Sequence, residues 1–271
     1  TEKDSISTDT IAFSMVRGYA NVRFFREDLQ GICDTLMYTS RDSVIRLNHM
    51  PVVWSKNQQL KGKTIKAFIK NKKVDRVEVK KSAIAIQKDS LNYYNQLAGK
   101  EIIAFMDSTS LKQIDVNGNV ETIYFIKDDK TKEYFAVNKT ISSFAKIFFK
   151  DKKLDRIRLT EQSNAVSYPL KDMQEEDLYL PNFHWFEKER PTDVNSLFTK
   201  FVRIEPKKRP ISKKRPKMSI KDDSDEQKDN KNKKDKKQDN QRFNNQKNSF
   251  QSNRNGNRFN PRLKQSGFNR R

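Results

Sequence analysis

Few side chains in this sequence have the type and spacing that catalysis requires. The 271 residues include two histidines, His49 and His184, and one cysteine, Cys33. Neither histidine has a carboxylate or a nucleophile at a spacing typical of acid–base or nucleophilic chemistry. A single cysteine excludes an internal disulfide framework and a thiolate metal cluster. The sequence therefore predicts a protein that is not an enzyme and has neither a metal site nor a cofactor.

Cationic side chains are the more prominent chemical feature. Lys and Arg number 56 against 35 Asp and Glu, which gives a formal net charge of +21. Two clusters six residues apart hold the candidate polyanion-binding residues Lys207, Lys208, Arg209, Lys213, Lys214 and Arg215. Further on, an Arg-Phe-Asn motif occurs at 242–244 and again at 258–260, and Arg with spaced Phe is typical of single-strand nucleic-acid binding. A solvating tail and a contact with anionic lipids are the alternatives.

Short strands are the elements that must position these groups. Runs of β-branched and aromatic residues recur at a spacing of about ten residues and are separated by polar clusters. The runs are 65–69, 77–79, 84–86, 102–106, 123–126 and 157–159, and the polar clusters include 70–73, 117–119 and 127–130. This pattern predicts an antiparallel all-β sandwich, roll or barrel.

A repeated motif organises the strands. The sequence of residues 62–67, Gly-Lys-Thr-Ile-Lys-Ala, recurs at 99–104 and, more loosely, at 138–143, with offsets of 37 and 39 residues. Each copy is followed by a second strand, at 74–79, 111–116 and 154–159. A hairpin unit of this kind cannot bury its apolar face without neighbours, so the repetition predicts stacked β repeats.

The alternation within these strands separates an apolar face from a basic one. Strand parity predicts that the inward-facing residues are Ile65, Ala67, Ile69, Val77, Val79, Ile102, Ala104, Ile114, Val116, Ile157 and Leu159. The opposite parity includes Lys66 and Arg76. Two interpretations stay open at this point, because a closed sandwich core and an incompletely closed sheet that receives lipid chains have the same apolar inner face.

Four consecutive stretches, at 31–38, 42–47, 51–55 and 59–65, together resemble the OstA-like, or LptA-type, lipopolysaccharide-transport proteins. The Trp54 strand, the ending with Phe183–Trp185 and Arg190-Pro191, and the Lys/Asn-rich tail resemble in particular the OstA-like proteins of Bacteroidetes-type bacteria. The first stretch, 31–38, contains Gly31, Asp34 and Tyr38. The others are 42–47 with Asp42, Val44 and Leu47, then 51–55, then 59–65 with Gly62 and Ile65. Their order and repetition carry the resemblance, which covers about residues 12–200.

The resemblance implies an elongated antiparallel β-jellyroll, folded like a taco and built from repeated hairpins. It also implies a non-enzymatic periplasmic protein that transports lipopolysaccharide towards the outer membrane and shields the acyl chains on its apolar inner face. The implied partners are lipopolysaccharide or lipid A, together with other jellyroll-domain transport proteins or a second copy of the chain, joined end to end. These implications favour the lipid interpretation over a closed sandwich. Binding of nucleic acid or another polyanion by the basic tail, with the β body as a scaffold, is the alternative function.

Composition divides the chain after residue 204. Residues 1–204 are expected to form the jellyroll body, and no run approaches the ~18 apolar residues of a membrane helix. The apolar cluster past Leu180 is predicted to be an end cap or closing segment of that body; it consists of Phe183, Trp185, Phe186, Leu197, Phe198, Phe201 and Val202. Residues 205–271 have too few apolar side chains to offset backbone ordering at about 1–2 kcal/mol per residue, so they are predicted to be a disordered tail. Because the sequence opens at Thr1 without a methionine, we expect the body to be truncated at its N-terminus.

Overall fold

The computed structural model of the chain describes residues 12–89, 93–107, 110–199 and 206–217. Within these ranges fourteen strands pair antiparallel in one sheet. They are β1 (Met15–Gly18), β2 (Val22–Arg26), β3 (Leu29–Cys33), β4 (Thr35–Thr39), β5 (Val44–Asn48), β6 (Val52–Ser55), β7 (Gln58–Lys61), β8 (Thr64–Lys70), β9 (Lys73–Lys88), β10 (Tyr94–Asp107), β11 (Ser110–Lys127), β12 (Tyr134–Lys150), β13 (Lys153–Thr160) and β14 (Asn164–Pro169). Four short 3-10 turns follow, at Leu170–Asp172, Glu175–Leu178, Glu187–Glu189 and Asn195–Phe198. The described part holds no helix with the length and apolarity needed to cross a membrane.

The sheet is folded over on itself into two layers. Layer A contains, in spatial order, β1, β4, β5, β8, one half of each of the four long strands β9–β12, and β13. Layer B contains β2, β3, β6, β7, the other halves of β9–β12, and β14. Because the long strands run through both layers, the layers join along one line, which we call the corner. The hairpin turns at the opposite ends of the layers form the mouth of the groove between them.

Paired residues with positive φ bend the chain at every second crossing of the corner. The pairs are Ala20-Asn21, His49-Met50, Lys81-Ser82, Gly118-Asn119 and Glu161-Gln162. The crossings between them include Gly62 and Gly99, where a Cβ atom would lie 2.5 Å from a Cγ1 atom of Val79 and of Val116, respectively. Glycine is needed at these two positions because the strands approach too closely for any side chain.

A third layer covers the outer face of layer B. After β14 the chain crosses this face as a series of turns, residues 170–199, which we call the strap, and residues 206–217, the clasp, lie beside it. Leu180 and Phe183 of the strap are buried against Ile84, Ile123 and Val137 of layer B. The first part of the predicted closing segment therefore covers the outer face of one layer, whereas Phe198 is 82% exposed and residues 201 and 202 lie outside the described residues.

The predicted antiparallel all-β fold of repeated hairpins, bent like a taco, is confirmed. Two details differ. The predicted strands 77–79 and 84–86 belong to the two halves of the single strand β9, and the polar cluster 117–119, which was expected to separate strands, lies inside β11. In both strands the chain bends at the corner, and the backbone pairing continues on either side of the bend. The clasp belongs to the same compact unit as the body, whereas the sequence placed the start of the tail at residue 205. The remainder of the predicted tail, with 242–244 and 258–260, lies outside the described residues.

Candidate functional site

The inner face of layer A consists of rows of apolar side chains, each row formed by directly opposed residues on successive strands. The row next to the corner is Leu36, Leu47, Ile65, Val79, Ile102, Val116, Ala145 and Leu159. Its central members pack against Cys33, Ala83 and Val120 at the corner, and Val79 and Val116 are 0% exposed. This row is the closed floor of the groove.

The rows nearer the mouth are progressively more accessible. The second row is Ile45, Ala67, Val77, Ala104, Ile114, Ile147 and Ile157. Its central members are half-buried, and Ile157 on the edge strand is 53% exposed. Beyond it, the opposed pairs Ile69–Val74 and Phe149–Leu154 leave Leu154 51% exposed. The wall of layer A is therefore apolar up to the mouth, where layer B does not cover it.

Layer B supplies an apolar strip near the corner and a polar one at the mouth. The strip near the corner is formed by Val53, Leu60, Ala85 and Leu97, which pack against the floor. On the same inner face of layer B, the next row towards the mouth consists of Gln58, Gln87 and Asn95, each two positions along its strand from a residue of the apolar strip. The groove thus has one fully apolar wall and one wall whose upper part is polar.

All eleven residues that the sequence predicted to face inward lie on the inner face of layer A. Ile65, Val79, Ile102, Val116 and Leu159 are in the floor row, Ala67, Val77, Ala104, Ile114 and Ile157 are in the second row, and Ile69 is at the mouth. The structure brings them together as one surface. That this surface binds lipid stays a prediction.

The opposite, outer face of layer B carries a row in which polar and apolar residues alternate. Directly opposed across seven strands, in order, are Gln30, Trp54, Gln59, Ile86, Gln96, Ile123 and Lys139. All seven are at most 4% exposed. Because buried polar side chains require hydrogen-bond partners, the four polar members of this row depend on what covers it.

Gln59 shows how the strap meets that need. Its Oε1 accepts hydrogen bonds from Trp54 Nε1 at 3.1 Å and from the backbone N of Phe186 at 2.8 Å. Its Nε2 donates to the carbonyl oxygen of His184 at 2.7 Å. A primary amide can bond a backbone donor and a backbone acceptor at once. The Gln59 side chain therefore gives the irregular strap the hydrogen bonds that a neighbouring strand would otherwise provide.

Gln96 repeats the arrangement at another point along the strap, and Gln30 contacts the strap through the side chain of Arg190. Gln96 Oε1 accepts from the backbone N of Leu180 at 2.8 Å, and its Nε2 donates to the carbonyl oxygen of Leu178 at 2.8 Å. Gln30 Oε1 accepts from Arg190 Nη2 at 2.7 Å and from its Nε at 3.0 Å. The strap is therefore attached in register with the repeats of the sheet.

Lys139, the fourth polar member of the row, attaches the clasp. Its Nζ donates to Ser212 Oγ at 2.8 Å, and Ser212 Oγ donates to Asp177 Oδ1 at 2.5 Å. Burial lowers the pKa of Lys139, partly offset by the charge of Asp177. Burial alone would raise the pKa of Asp177, but hydrogen bonds from Ser212 and from the Gln174 backbone bring it below its usual value. The clasp thus joins two buried charged groups through one hydroxyl.

The candidate polyanion-binding residues lie in this clasp. Arg209 stacks over the ring of Tyr179 at 4.4 Å, and Arg215 Nη2 is 2.7 Å from Glu121 Oε1. Lys214 Nζ donates to the carbonyl oxygen of Asp172. The other three, Lys207, Lys208 and Lys213, are exposed. Half of the predicted set is therefore engaged in attaching the clasp to the body.

The histidines and the cysteine occupy structural positions. His184 packs edge-on against Phe186 at 4.3 Å, and burial, followed by the charges of Lys61 and Arg209, lowers its pKa. His49 lies exposed at the corner, with Nδ1 3.8 Å from Asp34 Oδ2, and Cys33 is buried in the floor of the groove. The described residues contain no group of three His, Cys, Asp or Glu side chains arranged to hold a metal ion.

Sequence reasoning missed the glutamine row, although the repeat contains its signal. The motif that begins at Gly62 and Gly99 extends three residues upstream, as Gln59-Leu60 and Gln96-Leu97. A polar residue at the same position in successive repeats, three residues before the corner, is the signal of this row. The identity of that partner could not be predicted, because the strap has no periodicity of its own.

Comparisons with known proteins give a limited result. No family model matches the chain, and no curated protein matches it. Among solved structures, the chain is similar to LptH of Pseudomonas aeruginosa, described as the LptA homologous periplasmic component of the lipopolysaccharide transport device. The two share 15% sequence identity with a TM-score of 0.36, over 50% of this chain and 98% of that chain. A likeness of this size leaves the function to be argued from the groove itself.

Proposed function

We propose that this protein binds lipopolysaccharide and transports it across the periplasm towards the outer membrane, without catalysis. In this proposal the acyl chains lie against the apolar inner face of layer A. The observation that carries the proposal is the gradient of exposure on that face along the central strand β9, from 0% at Val79 in the floor row, through the half-buried Val77, to 36% at Val74 near the mouth. A closed sandwich would bury all three rows, because exposed apolar surface gains about 25 cal/mol per Å² when it is removed from water.

The side-chain chemistry of the groove suits hydrocarbon. The floor and second rows of layer A between β8 and β13 contain only Ile, Val, Leu and Ala. Such a wall offers no side-chain hydrogen bonds, so a ligand against it gains only by burying carbon, at about 0.8 kcal/mol per CH₂. Nine strands about 4.8 Å apart give the groove a length of roughly 38 Å, which is open along its mouth.

The strap covers one apolar face of the described body and leaves the groove open. That face, the outer side of layer B, is covered by Leu180, Phe183 and Phe186. The strap therefore covers the outer face of layer B, whereas the inner face of layer A stays accessible at the mouth of the groove. This contrast supports a ligand in the groove.

The ends of layer A support the proposed partners. Among the described strands, β1 pairs only with β4 and β13 only with β12, so each has one edge without backbone partners. Val16 and Ile157 on these strands are more than half exposed. Unpaired edges accept a further strand, and we propose that they join other jellyroll-domain transport proteins or a second copy of this chain end to end.

A matched pair of substitutions in one strand tests the proposed function. Ala104 faces the groove, and its neighbour Ile103 faces outward in the row that contains Glu78 and Asp115. We expect Ala104→Trp to block the groove and weaken lipid A binding by an order of magnitude or more, and Ile103→Trp to leave binding unchanged. Both variants should keep a β-type circular dichroism spectrum. Equal binding by the two variants would place the ligand outside the groove.

A further inference from the structure

Two hairpins at the mouth of the groove share a sequence that the proposed function does not use. Residues 70–76 read Lys-Asn-Lys-Lys-Val-Asp-Arg, and residues 150–156 read Lys-Asp-Lys-Lys-Leu-Asp-Arg. The first forms the turn between β8 and β9, and the second the turn between β12 and β13. We call these turns, 70–73 and 150–153, the basic tips. The intervening tip of layer A, 107–110, contains no lysine or arginine.

The basic tips lie at equivalent positions along the edge of layer A that borders the mouth of the groove. Phe68 and Phe148, two residues before each tip, belong to one cross-strand row that runs through Arg76, Phe105 and Gln113. Four strand spacings of about 4.8 Å put the tips roughly 19 Å apart. Both tips therefore project from layer A at the mouth of the groove.

Each tip places lysine where the backbone favours glycine. Asn71 and Lys72 have φ values of 50° and 61°, and Asp151 and Lys152 have 51° and 63°. Turns of this type prefer Asn-Gly or Asp-Gly, because glycine adopts positive φ without steric cost. The first residue of each pair follows that preference and the second does not. Both copies of the turn therefore share the same backbone conformation and place a lysine at the same position, as they share their sequence.

The six lysines of the tips have no ion-pair partner among the described residues. The four hairpin tips of layer A contain seven Lys and Arg against three Asp and Glu, whereas the four hairpin tips of layer B contain six of each. On layer B several are paired, as Lys127 is with Asp89 at 3.0 Å. The excess positive charge at the mouth therefore lies on the hairpin tips of layer A, the layer whose inner face is apolar.

An apolar pair lies directly below each tip. Ile69 opposes Val74 below the first tip, and Phe149 opposes Leu154 below the second. On the outer face Arg76 stacks on Phe68 at 4.0 Å, and Arg156 stacks on Phe148 at 4.7 Å, so both arginines point away from the groove. Each repeat therefore combines unpaired lysines at the rim with exposed hydrocarbon on the groove side.

We propose that the two basic tips are twin binding sites for the phosphate groups of an anionic amphiphile whose apolar part lies in the groove. The inference rests on the proposed function and adds the recognition of the headgroup. Each tip presents up to three ammonium groups to one phosphate, and charge-assisted hydrogen bonds to phosphate are the stronger class. The groove alone would not distinguish a phosphorylated lipid from a neutral one, and the tips supply that discrimination.

Glycine substitutions test this proposal, because they remove the charge and relieve the backbone at once. The test variant is Lys72→Gly/Lys152→Gly. The matched control is Lys56→Gly/Lys132→Gly, two exposed lysines of layer B with φ values of 53° and 60°. The full chain is titrated with bisphosphorylated lipid A, with the same lipid A after removal of its phosphates, and with phosphatidylglycerol vesicles. Thermal unfolding of all variants is measured in parallel.

We expect the test variant to be at least as stable as the wild type, and to bind bisphosphorylated lipid A on the order of 20-fold more weakly, at about fivefold per lysine. Its binding of dephosphorylated lipid A should equal that of the wild type, and the control should change neither. Equal losses in test and control variants, or equal losses for both lipids, would overturn the proposal. A loss confined to vesicles would replace it with adsorption to a membrane surface. Failure of the wild type to bind either lipid would instead refute the proposed function.

Discussion

Replacing Gln59 by Met should release the strap from layer B. Gln59 is 1% exposed, and its amide satisfies Trp54 Nε1, the backbone N of Phe186 and the carbonyl oxygen of His184. Methionine fills a similar volume but leaves these three groups without partners. At about 1–3 kcal/mol for each of the three buried unsatisfied groups, the loss is on the order of 3–9 kcal/mol, and it cannot exceed the free energy that holds the strap in place.

Urea unfolding measures this loss, and limited proteolysis locates it. Gln58→Met is the matched control, since Gln58 precedes Gln59 on the same strand and is exposed on the opposite face. We expect the control to unfold as the wild type does, and Gln59→Met to show early cleavage within 170–199. A Gln59→Met protein within 1 kcal/mol of the control, with a protected strap, would refute the role of the glutamine row.

Three further predictions concern the corner, the strap and the clasp. Gly62→Ala and Gly99→Ala should each lower the free energy of unfolding by about 1–3 kcal/mol, because the added methyl group would lie 2.5 Å from a valine methyl group. Chemical denaturation measures this loss, and an unchanged free energy of unfolding would show that the corner has room for the methyl group. The lowered pKa of His184 means that the fold favours its neutral form, so stability that is present above the ordinary pKa of 6.5 should be lost as the pH falls from there towards the lower pKa of the folded state. The wild type should therefore lose stability on acidification more steeply than His184→Phe, and parallel curves would contradict this. Truncation after residue 221 should leave the melting temperature unchanged, whereas truncation after residue 205 removes the clasp and should lower it; identical melting temperatures would show that the clasp contributes nothing.

The sequence was sufficient to predict the groove wall because strand parity and cross-strand register follow from the same alternation. Once the repeat at Gly62 and Gly99 aligned the strands, Ile65 and Ile102 had to share a face, and their rows followed. The bend at the corner was not predictable in the same way. The positive φ values at Lys81-Ser82 and Glu161-Gln162 cannot be recognised from the sequence, because neither pair contains the Gly or Asn that usually marks such a bend.

The sequence predicted a closing role for part of the strap, but the partners of the strap and of the clasp escaped prediction for a different reason. Their contacts join residues far apart in the chain, as between Gln30 and Arg190 or between Lys139 and Ser212, and the strap has neither strand alternation nor helical periodicity. Composition marked 205–217 as tail because of its lysines and arginines. The structure shows that Arg209 and Arg215 contribute through a ring contact and an ion pair, which a net charge does not reveal.

Photo-crosslinking at one adjacent pair of residues tests the central claim most directly. Ile157 and Arg158 are both exposed on β13, and they face opposite sides of layer A. A photoreactive amino acid is placed at each position in the full chain, and lipopolysaccharide is added before irradiation. We predict capture at 157, with the bond formed to an acyl chain, and background capture at 158. Equal capture at the two positions, or capture at 158 alone, would contradict the claim that the groove holds lipid.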